Sequence, residues 1–203
     1  MRHDSVKHVI TDFCSKAGYK GVEEEPHLQP LPDDMKRRRS NGTIRPEDSD
    51  DARLDVMAIG VWGPLQRAFF DVRVTNPLAP SYVSTPLQQH LKNQENEKKT
   101  AYGRRVVETE KASFTPLVFT VAGACGKECD VFLKRLSADI ARKTNEHQSV
   151  VMSDIRTRLS YTLLHANTIS LRGPHLKTST RKPTCNPEPD YQVVHAEARF
   201  LAE

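Results

Sequence analysis

Apolar residues near the start of the chain recur at the spacing of an α-helix. In "SVKHVITDFCSKAG", Val6, Val9, Ile10 and Phe13 would share one helix face, and Gly18 would end the helix. The next stretch, "YKGVEEEPHLQPL", contains two prolines, which favour an edge strand or a loop. The chain is therefore predicted to begin with a helix that leads into an edge strand.

Three later runs have the length and composition of β-strands. "ARLDVMAIG" and "RAFFDVRVT" are joined by a short turn-like stretch that suits a hairpin, and "SFTPLVFTVAGAC" comes later. Between the second and third runs, "TPLQQHLKNQENEKKTAYGRRVVETEKA" predicts a long polar helix that Gly103 weakens in its middle. Two more helices are predicted after the third run, in "KECDVFLKRLSADIARKTN" and "SVVMSDIRTRLSYTLLHANTISL".

The predicted order of elements is α-β-β-β-α-β-α-α, which is typical of an α/β (α+β) domain with a central sheet flanked by helices. The sheet should be mixed, because the hairpin pairs antiparallel strands and the crossover through the long helix pairs parallel ones. We expect one domain over residues 1–172, with a mobile basic insert at about 31–51, and a poorly ordered tail over residues 173–203.

The charge and the residue composition limit the classes of function that the protein can have. The formal net charge of +4 and the pI near 8.9 are compatible with a nucleic-acid partner. No apolar run reaches the ~18 residues of a membrane helix, and the N-terminus lacks a signal-peptide stretch, so we expect an intracellular protein without a membrane partner. The four cysteines and eight histidines form no zinc-ligand pattern, and no glycine-rich nucleotide-binding motif is present.

The two strand-forming runs of the hairpin each carry an aspartate in mid-run. Alternation places Asp55 on the face opposite Leu54 and Val56, and it places Asp71 and Arg73 together on one face of the next strand. If the two strands are neighbours, both carboxylates project from the same sheet face. A buried carboxylate is costly unless a cation meets it, so the pair requires an explanation.

Two carboxylates near a basic residue are what a Mg²⁺ or Mn²⁺ site requires, since both ions take oxygen ligands. Such an ion lowers the pKa of bound water and neutralises charge on a phosphodiester in the transition state. A simpler interpretation stays open, in which Asp71 and Arg73 form a surface ion pair worth less than ~1 kcal/mol.

Asp55 followed by "DVR" at residues 71–73, on successive strands of this layout, resembles the restriction-endonuclease-like nuclease superfamily with its PD-(D/E)xK pattern. The resemblance implies that Asp55 and Asp71 bind metal, and that Arg73 occupies the position of the catalytic lysine. Leu54 stands where proline is usual. The implied activity is Mg²⁺-dependent DNA endonuclease activity.

A second resemblance spans roughly residues 2–173. The segments "EPHLQPL", "ARLDV", "AFFDVRVTNPLAPSY", "EKKTAYGRRV" and "SFTPLVFTVAG" are similar to the C-terminal nuclease-like region of reverse-transcriptase polyproteins from animal retroelements. This resemblance implies a DNA substrate, a nuclear location, and the reverse-transcriptase portion of a parent polyprotein as a partner.

Further residues are candidates for the same site. Lys98 and Tyr102 lie four positions apart on the long helix and so share one face. The resemblance to the nuclease superfamily implies that a pair at this spacing contacts DNA phosphate or the active site, with Lys98, or Lys99, supplying the ammonium that Arg73 does not and with Lys99 and Tyr102 contacting DNA. A solvated helix face is the alternative. Glu25 is a candidate additional metal ligand, and a solvated loop is the alternative for its acidic triplet. The run Lys36, Arg37, Arg38 and Arg39 is either a phosphate-binding or nuclear-localisation patch or loop charge without a role.

The sequence thus predicts a metal-dependent DNA endonuclease domain of retroelement origin. Two alternatives remain. One is a catalytically inactive nuclease fold that binds DNA, which the arginine at position 73 favours. The other is an interaction or scaffold domain of the parent polyprotein, in which all of these charges are solvated.

Overall fold

The computed structural model describes residues 2–172, and the predicted tail lies outside this range. The helices are α1 (Arg2–Ala17), α2 (Leu87–Lys98), α3 (Arg104–Glu108), α4 (Lys127–Thr144) and α5 (Gln148–Arg172). The strands are β1 (Lys20–Glu24), β2 (Val56–Ile59), β3 (Arg67–Thr75) and β4 (Ser113–Thr120). A π-helical turn, Lys99–Gly103, joins α2 directly to α3. None of the described helices is long and apolar enough to cross a membrane.

The four strands form one mixed sheet in the order β1-β2-β3-β4. β2 pairs antiparallel with both β1 and β3, while β3 and β4 run parallel along eight residue pairs. The parallel pair is connected through α2, the π-helical turn and α3. The predicted α/β class, the order of elements and the mixed sheet are therefore confirmed.

One face of the sheet carries the main hydrophobic core. Phe70 and Val72 of β3 point to this face and pack with Phe13 of α1, Phe132 of α4 and Ile155 of α5, all of them almost fully buried. The rings of Phe70 and Phe132 lie 4.6 Å apart. Because α1 and α4 have apolar residues at helical spacing and the strand alternates, three helices can cover this single face.

The opposite face of β3 holds a smaller core and the polar residues of interest. Phe69 is buried there with five other apolar side chains, namely Leu28, Ala52, Leu54, Val106 and Ala112. Leu54 was predicted to share a face with Val56, and this is wrong, since Val56 packs in the main core. β2 begins only at Val56, so strand alternation does not apply to the residues before it.

The stretch between β1 and β2 makes a long excursion whose ends are paired. His27 and Arg53 form an antiparallel bridge, and Leu28 N donates to Ala52 O over 3.0 Å. The predicted insert at 31–51 lies within this excursion, and its Asp48 is 2% exposed and pairs with Arg37 of the same insert. Its mobility stays a prediction.

Arg105 of α3 attaches this excursion to the domain. The side chain is buried, and its guanidinium donates to the carbonyl oxygens of Gln29, Glu47 and Ser49 over 2.7 to 2.9 Å. A planar guanidinium has five donors in a fixed fork, so one side chain can hold several carbonyls from separate parts of a loop.

Replacing Arg105 with methionine should lower the free energy of unfolding by about 3 kcal/mol, because three backbone carbonyls would lose charge-assisted hydrogen bonds to a buried side chain. Urea denaturation measures this change. Arg104→Met is the matched control, since Arg104 is exposed and makes only an ion pair with Glu108, worth less than about 1 kcal/mol. Equal losses in the two variants would contradict the role of the carbonyl contacts.

Candidate active site

Asp71 lies in the middle of β3 and is the most deeply buried carboxylate of the predicted site. It is 6% exposed, and it projects from the same strand face as Phe69 and Arg73. Burial raises the pKa of its carboxyl group, and the nearby charge of Asp55 raises it further. The strand is fixed between β2 and β4 and cannot turn this face towards water, so the fold has to accommodate a carboxylate in its interior.

The nearest cation to Asp71 is Lys98, at the last position of α2. Its Nζ lies 2.8 Å from Asp71 Oδ2 and opposes the rise in the carboxyl pKa. The contact is an ion pair and not a well-aligned hydrogen bond, since Asp71 Oδ2 has no hydrogen-bond partner of good geometry among the described residues. One oxygen of the buried carboxylate is therefore paired with an ammonium, and because a carboxylate oxygen has two lone pairs, it can still accept a further ligand.

Asp55 lies directly before β2, where the regular ladder between β2 and β3 ends at the pair of Val56 and Phe70. Asp55 N still donates to Phe70 O over 3.1 Å. The next β3 donor, the backbone N–H of Val72, donates to the side-chain oxygen Asp55 Oδ2 over 2.6 Å instead of to a β2 carbonyl. This contact places the Asp55 carboxylate at the residue that follows Asp71. The two predicted carboxylates are thus brought together by the end of one strand and the middle of the next.

His3 also belongs to the site, although no pattern in the sequence points to it. Its Nε2 lies 2.9 Å from Asp55 Oδ2, and this hydrogen bond raises the pKa of the imidazole. His3 is in the first turn of α1, and only the docking of α1 against the sheet brings it to Asp55. No local spacing in the sequence signals a contact between residues 52 positions apart.

Tyr102 lies in the π-helical turn beside Lys98. The Lys98 ammonium is 5.7 Å from the centre of the Tyr102 ring, so the predicted proximity of these two residues is confirmed. Burial, together with the charge of Asp71, raises the pKa of the phenol to about 12. The hydroxyl is therefore protonated at neutral pH and available as a hydrogen-bond donor. π-Helical turns are frequent at functional sites.

A cleft of about 480 Å³ lies next to these residues. Its charged lining consists of four cationic and two acidic side chains, namely Arg37, Arg45, Arg73, Lys98, Glu47 and Glu97. Arg73 forms an ion pair with Glu97 over 2.9 Å. Lys98 belongs to this lining and also contacts Asp71, so the buried carboxylate adjoins a cleft with an excess of positive charge.

Another cleft, of about 550 Å³, lies at the opposite end of β2 beside Gly60. Its buried carboxylate, Asp139, accepts a hydrogen bond from Tyr19 and pairs with Arg135 and Arg142. Tyr19 and Arg135 both contact Oδ2, while Oδ1 lies 3.0 Å from Arg142 and has no hydrogen bond among the described residues. The cleft beside Lys98 is the better candidate for an active site, because two carboxylates, Asp71 and Asp55, lie close together beside it, whereas Asp139 is the single carboxylate of the other cleft.

Several other predicted residues lie in different surroundings. Glu25, the candidate third metal ligand, pairs with Lys7 and with Arg53. Lys99 pairs with Glu128 over 2.7 Å and lines a separate cleft between α2 and α4. The structure brings neither side chain into contact with Asp71 or Asp55.

The basic run at residues 36–39 divides into two parts. The Lys36 ammonium lies between Asp33 and Asp50, and Arg37 pairs with the buried Asp48. Arg38 and Arg39 are exposed. The run is thus not one uniform patch, since its first half stabilises the excursion and its second half faces solvent.

The carboxylates of Asp55 and Asp71 are the side chains of the site that could bind a metal ion. Within residues 2–172 no group of three or more histidine, cysteine, aspartate or glutamate side chains is arranged to hold a metal. An all-protein cage is therefore not formed in this part of the chain. Mg²⁺, however, is commonly held by one or two carboxylates with water and substrate phosphate as the other ligands. Asp55 and Asp71, with the open oxygen of Asp71, fit that requirement.

Asp71→Asn should make the chain more stable at pH 7, because burial disfavours the charged form of Asp71. A carboxyl group whose pKa is raised on folding loses stability as the pH rises from its unfolded pKa to its folded pKa. The gain in Asp71→Asn should therefore shrink as the pH is lowered to about 4. Urea denaturation at several pH values tests this, and a variant less stable than the parent at pH 7 would contradict it.

His3→Gln should lower stability at acidic pH and leave it nearly unchanged at alkaline pH. The hydrogen bond to Asp55 raises the folded pKa of His3, so its contribution is complete below the unfolded pKa near 6.5 and is lost as the pH rises through the folded pKa. Denaturation at pH 5.5 and at pH 8.5 measures the difference. His8→Gln is the control, since His8 pairs with Glu24 away from Asp55. The same loss at both pH values would rule out the charge effect.

Two comparisons with known proteins found no relative of the chain. No protein-family model matches the chain, and no curated protein matches it significantly.

Proposed function

We propose that this chain is a metal-dependent DNA endonuclease domain that hydrolyses phosphodiester bonds. The observation that carries the proposal is the buried Asp71 carboxylate, which has one oxygen without a hydrogen bond, with Lys98 and Asp55 beside it and a positively charged cleft adjoining it. Carboxylates with perturbed pKa values next to a cleft are typical of functional sites. The cationic lining suits a polyanionic substrate.

Asp55 and Asp71 would hold Mg²⁺ or Mn²⁺ through their carboxylate oxygens. When bound, the ion supplies Lewis-acid stabilisation of the phosphoryl oxygens and lowers the pKa of the attacking water. The open oxygen of Asp71 suits a ligand of this kind. His3 orients Asp55 through its Nε2 contact, which leaves the other oxygen of Asp55 without a hydrogen bond from the described residues.

Lys98 would serve in place of the catalytic lysine of the PD-(D/E)xK pattern. Its ammonium lies beside Asp71 and lines the cleft, where it would stabilise negative charge that develops on the scissile phosphate. Arg73 is two residues beyond Asp71 and would bind the same or a neighbouring phosphate once its pairing with Glu97 is released. Tyr102 would donate a hydrogen bond to a phosphate oxygen, since its hydroxyl stays protonated at neutral pH.

The proposal includes the setting that the sequence resemblance implies. The domain would act in the nucleus on DNA, together with the reverse-transcriptase portion of a retroelement polyprotein. The restriction-endonuclease-like arrangement of Asp55 and Asp71 supports this setting, as does the α-β-β-β-α-β order that surrounds them.

A second candidate is an inactive nuclease fold that binds DNA without cleaving it. The feature in its favour is the occupation of the site by ion pairs: Lys98 holds Asp71, and Glu97 holds Arg73. If metal binding cannot displace these contacts, the cleft would keep its affinity for phosphate and lose hydrolysis. Cleavage and binding are therefore measured on the same preparations.

Nicking of supercoiled plasmid in Mg²⁺ or Mn²⁺ tests the activity. Asp71→Asn should abolish it, and Lys98→Met should reduce the rate on the order of 10² to 10³-fold, the usual cost of losing one group that stabilises transition-state charge. Lys99→Met should reduce it far less, because the Lys99 ammonium is held by Glu128. EDTA provides the metal-free control.

Each outcome separates the candidates. Nicking by the parent chain that is lost in Asp71→Asn supports the endonuclease. DNA binding without nicking, in the parent and in Arg73→Lys, supports the inactive fold. Equal losses in Lys98→Met and Lys99→Met would contradict the role given to Lys98. Absence of both nicking and DNA binding would favour a scaffold domain.

A further inference from the structure

Residues 37–45 form a small two-stranded ribbon at the edge of the candidate cleft. Arg38 and Ile44 make an antiparallel bridge, Arg39 N donates to Thr43 O over 2.8 Å, and Arg45 N donates to Arg37 O over 3.0 Å. The ribbon is therefore a defined hairpin within the insert, and not an irregular loop.

The tip of the ribbon is held by its own side chains. Asn41 Oδ1 accepts hydrogen bonds from the backbone N–H and from the hydroxyl of Thr43, over 3.1 Å and 2.6 Å. Gly42 follows with a φ of +81°, a conformation that glycine adopts without steric cost. The asparagine–glycine pair thus gives the tip a fixed shape before any ligand is bound.

Arg37 fixes the base of the ribbon to the active-site helix. Its Nε and NH2 reach the two carboxylate oxygens of Asp48, over 2.7 Å and 3.0 Å. The remaining N–H groups donate to Thr100 O and Ala101 O, at 3.0 Å and 2.7 Å, in the π-helical turn that also carries Tyr102. The position of the ribbon relative to the cleft is therefore set by a bidentate ion pair and two backbone contacts.

The free part of the ribbon is cationic. Arg38 and Arg39 are exposed, and neither has a carboxylate within 4.0 Å among the described residues. Arg45 lines the cleft, and its guanidinium lies 3.9 Å from the Glu47 carboxylate, so the ion pair between them is weak. No acidic residue occurs within 37–45. Lys36, by contrast, is neutralised by Asp33 and Asp50, so the positive charge is concentrated at the tip and along the cleft side.

We propose that this ribbon enters the major groove of duplex DNA and sets the register of the duplex over the cleft. This inference rests on the proposed function and adds to it the form of the substrate. Paired strands lie about 4.8 Å apart, so a ribbon with its side chains fits the major groove, about 12 Å wide, and exceeds the minor groove, about 6 Å wide. Arg38 and Arg39 at the tip bind phosphates or guanine edges, and Arg45 continues the contact into the cleft.

The experiment measures DNA binding in EDTA, so that it does not depend on cleavage. The probes are a 20-base-pair duplex and a single strand of the same sequence, each followed by fluorescence anisotropy. The double variant Arg38→Ala/Arg39→Ala should bind the duplex at least 10-fold more weakly at moderate salt. The slope of log K against log salt should fall by about 2, one unit for each phosphate contact that is lost. The weak binding of the single strand should change much less.

The control variant is Lys134→Ala/Arg156→Ala, which removes the same charge from α4 and α5. Both residues are exposed and pair with Asp130, away from the cleft, so duplex affinity should stay within 2-fold. Gly42→Val tests shape separately, since it keeps every arginine and strains the tip at its positive φ. It should weaken duplex binding and leave the salt slope nearly intact. Urea denaturation confirms that each variant is folded.

Unchanged duplex affinity in the double variant would overturn the ribbon proposal and leave the nuclease proposal standing. Equal losses for duplex and single strand would also overturn it, since a groove contact requires a duplex. A parent chain that binds neither probe would overturn the nuclease proposal as well. Plasmid nicking by the parent together with unaltered duplex binding by the double variant separates the two failures.

Discussion

The burial of a carboxylate in the middle of β3 determines much of the architecture around it. Asp71 pairs with Pro116 of β4 on one side, and on the other side the Asp55 carboxylate binds the N–H of the next residue, Val72. Neighbouring elements therefore have to supply charge or ligands where water cannot. Lys98, at the end of α2, contacts Asp71, and the π-helical turn that follows places the Tyr102 ring beside the Lys98 ammonium. An apolar residue at this position would avoid the cost of burying a charge, and the proposed function gives a reason for the carboxylate.

The fold was largely predictable because its signals are local. Strand alternation in "RAFFDVRVT" assigned Phe69, Asp71 and Arg73 to one face, and helical spacing in α1 and α4 identified the helices that cover the other. The error at Leu54 has the same origin, since alternation was extended past the first residue of β2. A periodic pattern reports the orientation of a side chain only while the backbone stays regular.

The site was only partly predictable, because its contacts join distant parts of the chain. Asp55, Asp71, Lys98 and Tyr102 were identified from strand order and helix spacing, and the structure brings them together. The contact of His3 with Asp55 depends on how α1 docks, which no short motif encodes. The division of the basic run likewise depends on Asp48 and Asp50, more than ten residues away. Charge partners of this kind are set by tertiary packing.

Arg37 and Arg105 hold the excursion between β1 and β2 largely through backbone carbonyl oxygens. Every amino acid supplies a carbonyl, so the Arg105 contacts do not depend on which side chains the loop carries, whereas the Arg37 anchor also requires Asp48. Arg38, Arg39 and Ile44 can thus change while these anchors and the turn at Asn41 and Gly42 stay in place. Under the proposed function, changes at these positions would alter which DNA groups the ribbon contacts, while Arg37 and Arg105 keep the ribbon attached to the domain.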